Sequence, residues 1–224
     1  MRAVEGNKVI KVLPPGTPRQ AAEDEAAVTR LVREYGVEAP FTHGVVEVDG
    51  TVGVEFDAVI GPTYTQWVLD HLGQLNRLVE FFTHEHHELH MHKVPELPPL
   101  KRVLEARIEA MNGPEELRRR LRSMPDGDWL LHWNFHPDNV MVSVDGPVTY
   151  HWSQAARGDY LADVARTSLL LDDWTPRPEE REAVERIKER FHRAYLYEYI
   201  KACGRTDDEL EAWKDLLRQI DALG

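Results

Sequence analysis

The chain has 224 residues, of which 42% are hydrophobic and 29% charged, values that suit a soluble folded protein with a sizeable core and exclude a disordered or fibrous one. Its 39 acidic and 27 basic residues give a formal net charge of −12; that sign repels phosphate backbones and anionic lipid, so neither nucleic acid nor a membrane is the expected partner. A single cysteine, Cys203, excludes an internal disulfide and a multi-cysteine metal site. No apolar run approaches the ~20 residues that span a bilayer, and the first six residues lack a signal peptide's apolar centre, so a cytoplasmic location is expected.

In chain order, Val9 to Leu13 is short and β-branched and ends at Pro14-Pro15-Gly16, which predicts a strand. Ala22, Ala26, Val28, Leu31 and Val32 recur at helical spacing between Pro18 and Tyr35, with Gly36 as a stop. His43 to Val48 and Val52 to Ile60, split by Asp49-Gly50, predict a hairpin, because that dipeptide takes up the positive φ values of a tight turn. After Gly61-Pro62 the strand pattern stops, which places a second lobe at 62–224 behind a small lobe at 1–61. Helices are predicted from Thr65 to His92, Leu100 to Met111, Pro114 to Arg122, Leu161 to Leu171, Pro178 to Lys201 and Asp207 to Ala222. Three short runs, Trp129 to Leu131, Val140 to Val142 and Val148 to Tyr150, predict strands around a loop.

That loop, His132-Trp133-Asn134-Phe135-His136-Pro137-Asp138-Asn139, resembles the catalytic loop of aminoglycoside and related small-molecule phosphotransferases, written H-G-D-x-H-P-x-N. Tyr150-His151-Trp152 falls where that family has I-D-W, and Arg157 to Thr167 resembles its R-G-D-P-x-x-D-x-A-R-T run. Lys11 and Glu25 stand where the family's nucleotide-contacting lysine and its ion-pair partner belong. The resemblance runs from Gly6 to about Tyr199 and implies an α+β, two-lobed protein-kinase-like fold, with a reduced N-terminal β lobe, a mainly helical C-terminal lobe and a hinge near 56–61.

Phosphoryl transfer needs a lysine for phosphates, a carboxylate and an asparagine for magnesium, and an aspartate to orient and deprotonate the acceptor hydroxyl. The resemblance assigns these roles to Lys11, His151, Asn139 and Asn134, with Glu25 supporting Lys11 and His132 in the catalytic loop. Two residue types do not suit their roles. An asparagine amide accepts a hydrogen bond but no proton at neutral pH, and imidazole suits zinc or copper better than magnesium. With ten residues ahead of Lys11, no earlier strand is expected to cover nucleotide phosphates. The expected function is therefore phosphotransferase-like with lost or strongly reduced ATP-dependent transfer, its interlobe cleft binding a small molecule, or its surface a partner; no cofactor is expected, ATP with a divalent metal entering only if the protein is active. The alternative is a working enzyme, using a softer metal through Asn139 and His151 or other chemistry in the same cleft.

Other signals have plainer readings. His84, His86, His87, His90 and His92 include pairs at helical spacing that can share a metal, such as His86 with His90, but the HExxH order is absent and packing or surface histidines are expected. His132 is expected to pack beneath the loop, Asp159 to cap the following helix and Asp163 to brace the loop. The acidic runs at 172–173, 179–180 and 207–209 are expected to be helix starts and solvated faces rather than a pocket for a polycation.

Overall fold

The computed structural model describes residues 2–4, 7–174 and 177–224. They form two compact units, one containing 1–67 and 137–154 and the other 68–136 and 155–224. The edge of the first unit thus lies beyond Gly61, and it takes in the hairpin at 140–149, because Val142 N donates to Pro62 O (2.9 Å) and Thr149 N to Glu38 O (2.9 Å).

The first unit carries a four-stranded antiparallel sheet in the order β1-β2-β4-β3: β1 (Arg2–Val4), β2 (Lys8–Val12), β3 (Thr42–Val48) and β4 (Thr51–Asp57). β1 corrects the expectation that nothing precedes the lysine strand; Arg2, Ala3 and Val4 pair with Ile10, Val9 and Lys8. Glu5 and Gly6 lie outside the described residues. Between β3 and β4, Asp49 and Gly50 have φ of 52° and 74°, the double positive turn that matches strand twist.

Helix α1 (Arg19–Glu34) buries Ala22, Glu25, Ala26, Thr29 and Val32. Ala22 and Ala26 pack with Leu13, Val54 and Phe56, so the helix covers one face of the sheet. Two small alanines let the helix backbone approach the strands closely, and each large apolar side chain removed from water there contributes about 1.5–3 kcal/mol.

The rest of this unit is the hairpin of β6 (Val140–Ser143) and β7 (Gly146–Thr149), in which Val140 pairs with Thr149. β7 starts two residues earlier than the apolar run suggests, since Gly146, at φ 127°, can open the ladder opposite Ser143. It stops before Tyr150 because His151 turns the backbone into the left-handed region, φ 70°.

The stretch expected as one helix from Thr65 to His92 is broken. It comprises α2 (Tyr64–Asp70), a 3-10 turn at Leu72–Gln74 and α3 (Leu75–Leu89). Around Gly73, whose free backbone weakens a helix, His71 N and Gln74 N bond three residues back, to Val68 O and His71 O.

The second unit adds α4 (Leu100–Ala110), α5 (Glu115–Ser123), α6 (Tyr160–Asp172), α7 (Arg181–Cys203) and α8 (Asp207–Asp221). It also holds a ladder of β5 (Trp129–Leu131) with β8 (Ala156–Gly158). β8 has no visible signal in the sequence, being three residues with one charge. α3 packs against α7 and α6 against α8, around the fully buried Phe82, Phe135, Phe191 and Tyr195. Asp159 caps α6 by accepting from Leu161 N, and Thr206 with Glu209 forms a capping box on α8. Asp207 and Glu209 thus belong to a helix start. Among the described residues no helix is long and apolar enough to cross a membrane.

Candidate functional site

In the first unit, Lys11 on β2 reaches Glu25 on α1 with both carboxylate oxygens, Nζ to Oε1 2.6 Å and to Oε2 2.8 Å. Glu25 is buried and the Lys11 side chain one-fifth exposed. That asymmetry sets an expected result. Lys11→Met strands a carboxylate in the interior and should cost about 3–5 kcal/mol, whereas Glu25→Gln leaves a lysine that can extend to water and should cost clearly less. Urea unfolding of the two variants checks this ordering; equal losses would contradict it.

Asn139 ends the 3-10 turn Pro137–Asn139. Its carbonyl accepts from Tyr150 N at 2.8 Å, which continues the β6–β7 ladder by one pair and brings His151, the next residue, to the end of the strand beside Asn139. Tyr150 fixes this corner: its hydroxyl accepts from Val59 N (3.3 Å), its ring meets Phe56 edge-on, and burial pushes its phenol up to about 12. Asp138 accepts from Thr65 Oγ1, tying the turn to the start of α2. Asn139 and the residue before His151 are thus joined through the backbone.

His132 and Asn134 belong to the second unit. Asn134 N donates to His132 Nδ1 (3.3 Å), and the His132 ring is fully buried, so it holds the loop from within. Trp133 sits at φ 64°, a conformation that costs little for glycine and more for a bulky residue. It occupies the position where the resembled motif has glycine, which explains the glycine there and marks local strain here.

Beneath the loop lies a network whose partners come from distant stretches of sequence. Asp163 on α6 accepts from His132 N (2.7 Å) and Trp133 N (2.9 Å), and lies 3.3 and 3.2 Å from Nε2 of His86 and His90. On the far side of the rings, His86 Nδ1 meets the Tyr195 hydroxyl at 2.7 Å and His90 Nδ1 the Tyr199 hydroxyl at 2.6 Å. His86 stacks on Phe135 at 4.0 Å, and Thr167 Oγ1 donates to Phe135 O at 3.0 Å. All five titratable groups are buried. Asp163 is held far below the usual carboxylate range by its imidazole donors, which outweigh the opposing effect of burial. The two phenols are driven well above theirs by burial.

Tyr195 and Tyr199 are sites the sequence reading missed. Their spacing of four on α7 mirrors that of His86 and His90 at the end of α3, and that pairing was the available signal.

Burial, reinforced by neighbouring His90, pulls His86 down to about 3. Its folded value lies below its unfolded value of about 6.5, so the unfolded chain binds the extra proton. The stabilisation from a neutral His86 is therefore full above pH 6.5 and falls as pH drops towards 3, by up to about 1.4 kcal/mol per pH unit. Denaturation in chelator between pH 7 and 4 should show this slope, and His86→Phe should flatten it; an unchanged slope would contradict it.

A second relay joins Ser168 Oγ to His192 Nε2 (2.7 Å) and His192 Nδ1 to Asp172 Oδ1 (3.0 Å). It has the order of a nucleophile, a base and an orienting carboxylate. Ser168, however, is completely buried within α6, where its neighbours' amides serve the helix, so neither an acyl group nor an oxyanion finds a place.

Solved structures share this architecture. An aminoglycoside phosphotransferase from Streptomyces rimosus superposes at TM-score 0.60, with 16% identity over 99% of this chain and 87% of that one. The type VIII aminoglycoside-3'-phosphotransferase gives 0.59, with 19% identity over 95% and 84%. A second structure of the Streptomyces rimosus enzyme, in complex with ADP and streptomycin, also gives 0.59, with 15% identity over 99% and 88%. The chain has the aminoglycoside phosphotransferase fold. This is the α+β, kinase-like arrangement of a small β lobe and a helical lobe that the loop motif implied. No family model matches the chain, and no curated relative does.

Proposed function

We propose that this is a phosphotransferase-like protein in which ATP-dependent phosphotransfer is lost or strongly reduced, and which binds a small molecule without phosphorylating it efficiently. One observation carries the reading: the two positions that the resemblance assigns to magnesium are Asn139 and His151, and the bond from Tyr150 N to Asn139 O brings these stretches of chain together. Magnesium is hard and favours oxygen donors, and an imidazole in place of a carboxylate also removes the negative charge that draws the ion in. Mg-ATP therefore does not fit this donor set. Asn134, at the base position, cannot take the acceptor's proton either, at a cost of about 10²–10⁴-fold in rate. The strand β1 weakens any argument from a missing phosphate cover, so the reading stands on these two positions alone.

The ADP and streptomycin bound by one structural neighbour indicate the ligand types worth testing first. If activity persists, ATP with a divalent metal is the cofactor to expect, and a softer ion than magnesium the one to find. The test is a nucleotide turnover assay with magnesium, manganese and zinc. Turnover at background in all three supports the reading, and sustained zinc-dependent turnover that His151→Ala abolishes would replace it with the working-enzyme alternative.

A further inference from the structure

Asp163 is completely buried, and among the described residues no lysine or arginine pairs with it; its partners are two imidazoles and two backbone amides. A full negative charge in the interior without a formal counter-charge is unusual, and a bound cation is one of the ways proteins balance it. His86 lies in the last turn of α3 and His90 caps its C-terminal end one turn later, so both rings reach Asp163 on α6.

The distances are informative. At 3.3 and 3.2 Å, the Nε2 to Oδ2 separations lie at the long end of the about 2.7–3.2 Å range of N–H···O bonds. They match the ~3.3–3.4 Å edges of a tetrahedron with metal–ligand bonds of about 2.0–2.1 Å. All three donor atoms lie within 4.8 Å of one another.

We infer that His86 Nε2, His90 Nε2 and an Asp163 carboxylate oxygen form a site for a zinc-class divalent cation, separate from the nucleotide corner and independent of the function proposed above. The surrounding groups suit the protonation this requires. A histidine that binds metal through Nε2 carries its proton on Nδ1 and needs an acceptor there, and the Tyr195 and Tyr199 hydroxyls occupy those positions at 2.7 and 2.6 Å. Both histidines change tautomer and no proton is lost.

A cavity of about 290 Å³ in the same unit is lined in part by His90, Tyr199 and Cys203. A bound ion would cross-link α3 to α6 through the carboxylate that holds the amides of residues 132 and 133.

The experiment is titration of the metal-stripped full chain with Co²⁺, read by visible absorption, and with Zn²⁺, read by calorimetry. One equivalent of tetrahedral cobalt, displaced by zinc, is expected. His86→Gln and His90→Gln should each weaken binding at least 100-fold, while the combined His84→Gln, His87→Gln and His92→Gln protein should bind like the wild type. Absence of stoichiometric binding to the wild type overturns the inference whatever the variants do. So does binding that survives both core substitutions or disappears with the three outer ones.

Discussion

Asp163→Ala should lower the melting temperature by roughly 6–20 °C. The carboxylate accepts from two loop amides and two imidazoles in a site closed to water. Removing it leaves four buried donors with no acceptor, and breaking a buried charged network of this kind costs about 3–5 kcal/mol. In a chain of this length each kcal/mol moves the midpoint by about 2–4 °C. Asp163→Asn should cost nearly as much, because its amide group presents hydrogens to donors where the carboxylate presented lone pairs. Thermal unfolding followed by circular dichroism tests both, and a shift under about 2 °C for Asp163→Ala would mean that the network does not hold the loop.

The second large effect is a gain. His151→Asp places an oxygen donor at a position that the resemblance assigns to magnesium, and aspartate tolerates the left-handed backbone found there, φ 70°. It should raise magnesium-dependent nucleotide binding more than turnover. Asn134→Asp alone restores a proton acceptor while the ion remains unplaced, and because phosphoryl transfer depends first on neutralising phosphate charge, it should change little. The double variant should exceed the product of the singles, with turnover at least ~10²-fold above His151→Asp, since base and metal act as one unit. An ADP-release assay on the four proteins measures this. Wild-type turnover that falls when His151 becomes Asp would identify the histidine as a working ligand.

The parts of this molecule legible in the sequence are those whose cause is local. Asp49-Gly50 announces its turn because two positive φ values are needed within two residues. Ala22, Ala26 and Val32 announce a helix face because burial repeats with the helical period. The motif from His132 to Asn139 is legible as an order of residue types, and the fold it implies is the one the neighbours share.

What stayed hidden depends on contacts distant in sequence. β1 and β8 are three residues each, too short to show a period, and exist because a partner strand is already in place. The break after Asp70 sits inside an apolar pattern that runs on as if the helix did. The histidines between 84 and 92 look much alike as a string, yet His86 and His90 are buried while His84 and His92 keep contact with solvent. What separates them is which face meets α6 and α7, and Asp163 lies 77 and 73 residues away from its two imidazole partners.

Isothermal titration of the wild-type protein with Mg-ATP tests the loss of phosphotransfer chemistry most directly, because nucleotide binding does not depend on knowing the acceptor. With Asn139 and His151 at the two positions that the resemblance assigns to magnesium, no micromolar binding is expected. A micromolar dissociation constant, equivalent to about −8 kcal/mol, would show that the protein holds magnesium after all and would contradict the proposed function.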